Sequence, residues 1–259
     1  MRKIQEIWLF VARCRVVLPV AILMTGLLGG CEKSPFFKSG PEITRKVILP
    51  PFGEIYAGNI FEIELSNDTL FSLELTGTEN MLENIGYSVI DGRLALVDNN
   101  SLRWLPDYPR VKLTISFPGI SEITLSLAEP SYVFSKDTLV VSSLALLSEG
   151  LLAEIDLTVN ASYLFLRTRY DDFGHYTFRG KAENAEFRFF GSAKVDASKL
   201  VAKNARVRNV SIGDCYVNVT DLLRVWLIHY GNVYYSGSPE VVIIESMGSK
   251  GRLIPADPD

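Results

Sequence analysis

The chain has 259 residues, of which 47% are hydrophobic and 22% are charged, and its formal net charge is −4 at pH 7. This length fits one or two domains, and a single all-β domain of this size is ordinary. The acidic balance and the absence of a long basic block argue against nucleic acid and anionic lipid as partners.

The first part of the chain, residues 1–30, has the composition of an export signal. A basic start and an apolar stretch, residues 16–28, are followed by small residues just before Cys31. The apolar stretch is shorter than the roughly 20 residues that a membrane-spanning helix needs. The alternative is an uncleaved anchor, but such a helix would have to bury Arg13 and Arg15.

The residues before Cys31 resemble a bacterial lipobox, with Leu28 three positions upstream and Gly29 and Gly30 at the narrow positions. The resemblance implies cleavage before Cys31 and attachment of lipid to its sulfur. We expect the protein at the outer membrane of the cell envelope, on either its periplasmic or its surface side. Removing a leader whose net charge is +3 from a chain of −4 leaves about −7 on the mature protein.

Residues 31–44 have the composition of a flexible tether, because Lys, Ser, Gly and Pro cannot bury much surface. We expect this tether to hold a folded domain, residues 45–254, away from the membrane, with residues 255–259 as a tail. The mature chain has one other cysteine, Cys215, so no internal disulfide can form. We expect Cys215 to be a small buried hydrophobe in a packed core.

Beyond the tether, apolar and polar residues alternate with a period of two, which predicts strands with one buried face. The clearest segments are residues 61–66, 71–75, 111–117, 123–127 and 153–159. The Asp91-Gly92 dipeptide between two apolar runs predicts a tight hairpin. No segment of the mature chain sustains a helical period for long, so the predicted fold class is all-β.

The second half of the chain contains a repeat with a spacing near 20 residues, which is typical of solenoid rungs. Asn-Ala pairs begin at Asn160, Asn184 and Asn204, and glycines open the strands that follow, at Gly191, Gly213 and Gly231. Asn and Gly adopt left-handed backbone conformations readily, which suits corners between rung strands. The pattern favours a parallel β-helix, with a β-sandwich of antiparallel hairpins as the alternative.

Most of the mature chain resembles the head GIN domain family, the predicted heads of autotransporter adhesins, found in exported Gram-negative lipoproteins. The matching segments are residues 36–40, 79–85, 89–94, 99–108 and 233–239. Ser101 stands where the family pattern leads us to expect a cysteine. The resemblance implies a right-handed parallel β-helix, and it brings with it no catalytic residues and no established ligand.

The sequence contains few candidates for catalytic or metal-binding chemistry. The two histidines, His175 and His229, have no metal-ligand partner at i+2 or i+4, so no metal and no cofactor are predicted. Asp171 and Asp172 form one acidic pair beside His175 in a loop between rungs. Their carboxylates could bind calcium or sugar hydroxyls, or they could simply cap a solvated turn.

Tyrosines give the other candidate site. Tyr216 lies at an outward position of its strand, and one of Tyr234 and Tyr235 must also face outward if that strand is regular. Tyr163 and Tyr230 are candidates to join them on neighbouring rungs. A stripe of exposed tyrosines suits contact with sugar rings or with another chain, although the same rings could cover rung edges.

These observations predict a lipid-anchored β-helix without catalytic activity that binds glycan or another envelope partner. One alternative is a structural module that assembles into a homo-oligomer through the strand edges at its ends. The other is a weak carbohydrate-active enzyme that uses Asp171, Asp172 or His175.

Overall fold

The structure is a computed structural model that describes residues 41–101, 108–119, 121–245 and 249–256. Apart from Tyr108 and Pro109, these residues belong to one compact unit, Gly40–Trp104 with Arg110–Asp259. The predicted signal, Cys31 and most of the predicted tether lie outside the described residues. Among the described residues, no helix is both long and apolar enough to cross a membrane.

Strands account for 67% of the described residues, as the alternating sequence predicts. The described residues form one short helix, α1 (Glu79–Leu82), and a set of strands. The strands are β1 (Glu42–Ile48), β2 (Glu54–Ala57), β3 (Phe61–Asn67), β4 (Ser72–Thr78), β5 (Ile85–Ile90), β6 (Arg93–Asp98), β7 (Val111–Phe117), β8 (Glu122–Leu127), β9 (Tyr132–Phe134), β10 (Leu139–Ser148), β11 (Glu154–Thr168), β12 (His175–Gly191), β13 (Lys194–Ser211), β14 (Cys215–Leu227), β15 (Val233–Gly237), β16 (Glu240–Glu245) and β17 (Leu253–Pro255).

The strands stack as a β-solenoid of about six turns, which confirms the predicted β-helix over the β-sandwich. From β8 onward the turns form two parallel ladders. Ladder A consists of β8, the second halves of β10 to β14, and β16. Ladder B consists of β9, the first halves of β11 to β14, β15 and β17. The right hand of the solenoid stays a prediction.

One turn of the solenoid takes about 20 residues, as the register of ladder A shows. Tyr163 lies opposite Asn184, Asn184 opposite Asn204, and Asn204 opposite Leu222. The Asn-Ala repeat is confirmed for two of its members, because the Asn204 Nδ2 donates to the Asn184 Oδ1 at 3.2 Å. Asn160 is not a third member, since it lies opposite Lys181 on a different side of the turn.

The core lies between the ladders and consists of inward side chains stacked in register. One inward column of ladder A contains the buried polar residues Ser148, Thr168 and Asn209, and two others are fully apolar and almost completely buried. The two columns are Leu144–Leu164–Ala185–Ala205–Leu223 and Leu146–Leu166–Phe187–Val207–Val225. Phe178 of ladder B closes the core against Phe187, with ring centroids 5.6 Å apart. Each large side chain buried in this way contributes about 1.5–3 kcal/mol.

The recurring glycines are needed mainly because neighbouring turns approach closely, and less because the backbone is left-handed. Of the three glycines in the sequence repeat, Gly191 has a positive φ, +68°. Gly213 and Gly231 do not, but a Cβ on Gly213 would lie 2.1 Å from the Ala193 carbonyl oxygen, and one on Gly231 would lie 2.0 Å from that of Gly213. The prediction of a left-handed backbone is therefore wrong for Gly213 and Gly231. At both positions the turns approach too closely for a side chain.

The N-terminal end departs from simple stacking. The β2–β3 turn lies between the β6–β7 turn and the β8–β9 turn, so the chain crosses over itself in the ladder order. Strand β4 pairs antiparallel with β7, and β1 pairs antiparallel with β4. The hairpin between β5 and β6 is confirmed, with positive φ at Asp91 and Gly92. Strand β1 begins at Glu42, inside the segment predicted as a tether.

We predict that Gly231→Ala destabilises the protein because its Cβ would meet the carbonyl oxygen of Gly213 at 2.0 Å. Overpacking of this kind costs about 1–3 kcal/mol, and each kcal/mol lowers the Tm of a domain of this size by about 2–4 °C. Gly119→Ala is the matched control, because the nearest atom to its Cβ lies at 3.8 Å. Thermal unfolding that gives the same Tm for both variants would contradict the close approach.

Candidate functional site

Two tyrosines lie side by side on the outer surface of ladder B. Tyr216 of β14 is directly opposite Tyr234 of β15, and their rings stack with centroids 4.7 Å apart and planes 8° from parallel. The flanking residues Cys215 and Val217 are buried, so the alternation of β14 turns Tyr216 outward. Tyr216 is 40% exposed, so part of its side chain is accessible to a ligand.

A groove of about 660 Å³ runs past these two rings. We call it the tyrosine groove and define it by its two tyrosines and the side chains around them that can bind hydroxyl groups. Those polar neighbours are Asp196, Ser198, Lys199, Asn218 and Ser236. They come from β13, β14 and β15, so three successive turns build the groove.

The local geometry of the groove orients its hydrogen-bonding groups. The Ser198 hydroxyl donates to Asp196 Oδ1 at 2.6 Å, and the Ser198 backbone N–H donates to the same oxygen at 3.0 Å, which fixes the carboxylate. Partial burial raises the pKa of Tyr216, and Asp214, Tyr234 and Asp196 raise it further. The Tyr216 phenol therefore stays protonated at neutral pH and can donate.

The stacking also limits what the rings can do. Because each ring lies against the other, Tyr216 and Tyr234 each have one covered face. A ligand in the groove meets hydroxyls, ring edges and outer faces, in contrast to a broad open ring platform. The groove is suited to a polyhydroxylated ligand that is recognised mainly by hydrogen bonds.

The other tyrosines of the predicted stripe lie elsewhere. Tyr235 is half-buried and lies opposite Val217, on the opposite side of the strand from Tyr234. Tyr163 belongs to ladder A, and Tyr230 lies in the turn after ladder A, where its ring contacts His229 edge-on. The expectation that Tyr163 joins Tyr216 on one stripe is therefore wrong, because the two residues are on different ladders.

The acidic pair and its histidine do not converge on one site. Asp171 is exposed and pairs with Arg169 at 2.7 Å, while Asp172 is completely buried. His175 is exposed at the start of β12, where it lies opposite Glu154 and Lys194. Within the described ranges, no group of three His, Cys, Asp or Glu residues could hold a metal ion.

Asp172 holds its turn together from inside the protein. Its carboxylate accepts hydrogen bonds from the Gly174 backbone N–H at 2.7 Å and from the Tyr176 hydroxyl. Burial raises the pKa of Asp172, and these hydrogen bonds oppose the shift. Burial and the Asp172 carboxylate raise the pKa of Tyr176. Asp172 is thus a structural carboxylate whose oxygens face protein donors.

Sequence reasoning missed the polar residues of the groove because they are brought together by register. Asp196 lies opposite Tyr216, 20 positions earlier in the chain, and Ser236 lies opposite Asn218. The signal that could have found them is the rung length itself, applied to Tyr216 as an anchor. Cys215, predicted to be a buried hydrophobe, is completely buried, and burial raises its thiol pKa.

The sequence matches a protein-family model over residues 51–239, and the family is described as "Putative auto-transporter adhesin, head GIN domain". No match is found among curated proteins.

Solved structures share the fold. A "putative adhesin" from Bacteroides fragilis NCTC 9343 superposes with a TM-score of 0.72 at 22% identity, covering 84% of this chain and 98% of that one. A "putative adhesin" from Parabacteroides distasonis ATCC 8503 gives a TM-score of 0.60 at 18% identity, with 84% and 98% covered. A "putative lipid binding protein" of the same strain gives 0.59 at 16% identity, with 85% and 98% covered. At these identities the likeness is one of fold.

We predict that Asp172→Asn changes how stability depends on pH. The pKa of Asp172 is higher in the folded state than in the unfolded state, so its protonated carboxyl adds to the free energy of unfolding. This stabilisation is fully present below the unfolded pKa, about 4, and is lost as pH rises through the folded pKa. The amide does not ionise, so the free energy of unfolding of the variant should rise relative to wild type across that window.

Urea unfolding at a series of pH values measures this difference. Asp171→Asn, at the exposed neighbouring carboxylate, is the control for loss of one charge in the same turn. If the free energy of unfolding varied with pH in the same way for wild type and Asp172→Asn, the buried carboxyl would not be the source of the pH dependence.

Proposed function

The chain belongs to the head GIN domain family, and on that premise we propose that it is a lipid-anchored, adhesin-like protein of the cell envelope. In this proposal the solenoid acts without catalysis, and its tyrosine groove binds glycan. The family description supports an adhesin-like role at the envelope. The glycan and the lipid anchor are our additions.

The observation that carries the glycan proposal is the composition and geometry of the tyrosine groove. Paired phenols, a fixed carboxylate at Asp196, and the polar groups of Lys199 and Asn218 line one depression on rigid strands. Sugar hydroxyls both donate and accept, so a mixture of carboxylate, amide, hydroxyl and ammonium groups matches them. Small-ligand sites combine aromatic surface with a few placed polar groups in the same way.

The anchor proposal depends on the segment before the domain. The lipobox-like residues up to Cys31 stand directly before a composition that suits a tether, and β1 begins at Glu42. Lipid at Cys31 would hold the solenoid a short distance from the outer membrane. Two or more acyl chains give stable membrane attachment.

End-to-end assembly, the alternative function, is disfavoured at the N-terminal end. There the antiparallel strand β1 covers the stacked turns, and it bears the charged residues Glu42, Arg45 and Lys46. Charged side chains on an edge strand are typical of edges that avoid pairing with another chain. We therefore favour a binding surface on the side of the solenoid.

We predict that the full chain, solubilised in detergent, binds a subset of glycans on an array and that Tyr216→Ala and Tyr234→Ala each weaken this binding about tenfold. The loss of one phenol removes a hydrogen bond and leaves the other ring without its stacking partner. Tyr87→Ala is the matched control, because Tyr87 is also 40% exposed but lies on β5. Absence of wild-type binding, or binding unchanged in both variants, would rule out the groove as a glycan site.

We predict that Cys31→Ser moves the protein from the membrane fraction to the soluble envelope fraction. Serine has no thiol to accept the lipid, so no acyl chain remains to hold the tether at the membrane. Cys14→Ser, which changes a leader residue upstream, is the control and should stay with the membrane. Retention of Cys31→Ser in the membrane fraction after a high-salt wash would show that another segment anchors the chain.

A further inference from the structure

Ladder A gathers arginines on its outer surface. Four successive turns, β11 to β14, place five of them on one face of an otherwise acidic chain. We call this surface the arginine face, and its cations are Arg167, Arg188, Arg206, Arg208 and Arg224. It lies on a different ladder from the tyrosine groove.

The register places these cations directly beside one another. Arg167 lies opposite Arg188, Arg188 lies opposite Arg208, and in the next column Arg206 lies opposite Arg224. Neighbouring strands are about 4.8 Å apart, and like charges directly opposite each other are destabilising. An arrangement that costs stability in each of three consecutive strand pairs calls for a compensating anion.

The protein supplies only part of that compensation. Arg167 pairs with Glu149 at 3.4 Å. The Arg188 Nε donates to Glu186 at 2.6 Å, and Arg206 lies 3.9 Å from the same carboxylate. Two carboxylates thus serve three of the five guanidinium groups.

Arg208 and Arg224 have no carboxylate within ion-pair distance among the residues that the structure describes. Both side chains reach solvent, Arg208 more fully than Arg224. They are therefore available to an anion from outside.

Flat rings and amides surround the cations. Arg188 lies 5.4 Å above the ring of Phe165, Trp226 lies opposite Arg208, and the Tyr163 hydroxyl donates to Glu186 at 2.9 Å. Asn184 and Asn204 continue the face in the adjoining column. A depression of about 440 Å³ runs across this surface between Tyr163 and Arg224.

This mixture selects among anionic ligands. Guanidinium groups bind carboxylate and sulfate in bidentate fashion, the rings suit the apolar faces of sugars, and the amides suit hydroxyls. A densely charged polymer such as nucleic acid would be repelled by the net charge of the whole chain, −4. An acidic polysaccharide spaces its charges more widely than nucleic acid and combines them with hydroxyls and ring faces.

We propose that the arginine face is a binding site for a linear acidic polysaccharide, whose carboxylate or sulfate groups lie across successive turns and pair with Arg208 and Arg224. The site is separate from the tyrosine groove, so it goes beyond the proposed function and does not depend on it. Glu149 and Glu186 neutralise only part of the positive charge of the arginine face, and the polymer supplies the remaining negative charge.

Titration calorimetry with polygalacturonate tests the proposal on the full chain in nonionic detergent. The double variant Arg208→Gln/Arg224→Gln should lose about tenfold or more in affinity, because two charge-assisted contacts are removed. The wild-type affinity should fall as NaCl is raised, and the variant should show a weaker salt dependence. The Tm of the variant should stay the same or rise, since repulsion within the ladder is relieved.

The controls separate charge, sugar and site. Arg110→Gln/Arg252→Gln removes two exposed cations elsewhere and should bind like wild type. Tyr87→Ala, at an exposed tyrosine on β5 outside both surfaces, should also bind polygalacturonate normally. Tyr216→Ala is tested against the array glycans, so failure of the groove and failure of this face can be told apart. Fully methyl-esterified polymer, which keeps the sugars but loses the charge, should bind weakly.

Three results would overturn the proposal. They are unchanged affinity in Arg208→Gln/Arg224→Gln, equal binding of the esterified polymer, and absence of binding to polygalacturonate while vesicles with anionic lipid bind through the same arginines. The last result would assign the face to a lipid surface.

Discussion

Hydrogen bonding between stacked parallel strands fixes which residue of one turn lies opposite which residue of the next, and the rest of the structure depends on this register. Inward positions become continuous buried columns, of which Leu146–Leu166–Phe187–Val207–Val225 is fully apolar. Outward positions also form columns, but these face solvent, so burial does not restrict them to apolar residues. Residues about 20 positions apart in the chain are therefore neighbours, and any chemistry on the surface is assembled from several turns. The close approach of turns at Gly213 and Gly231 is part of the same constraint.

The local features of the fold could be predicted from the sequence. Alternation predicted β3, β7, β8 and β11, and the Asp91-Gly92 dipeptide predicted a hairpin, because both signals act between near neighbours. The stacked columns were harder to predict from the sequence, because the turns differ in length. Tyr163 to Asn184 spans one residue more than Asn184 to Asn204. Asn160 lies more than one turn before Asn184, so it falls outside the asparagine ladder, and Tyr163 is not a whole number of turns from Tyr216, so the two tyrosines lie on different ladders. The crossing of β2–β3 between later turns has no local signal at all.

Register also explains why the surface chemistry was only partly visible. Tyr216 could be assigned to the surface from its own strand, but Asp196 and Ser236 join it through neighbouring turns. The sequence has no long basic block, but stacking places five arginines in two adjoining columns. Conversely, Asp171 and Asp172 look like one site in sequence, while the turn directs one carboxylate outward and buries the other. A solenoid of this kind offers separate surfaces on separate ladders, which suits a binding protein held at the envelope.

Distances between spin labels along one outward column of ladder A test the register most directly. Ser126 lies four strand steps from Arg208 and five from Trp226, through the opposed residues Leu147, Arg167 and Arg188. With labels on cysteines at 126 and 208, or at 126 and 226, in a chain whose Cys14 and Cys31 are serine, buried Cys215 should stay unlabelled. At about 4.8 Å per step, the backbone separations should be about 19 Å and about 24 Å. Equal separations, or a shorter one for the second pair, would contradict the stacked register.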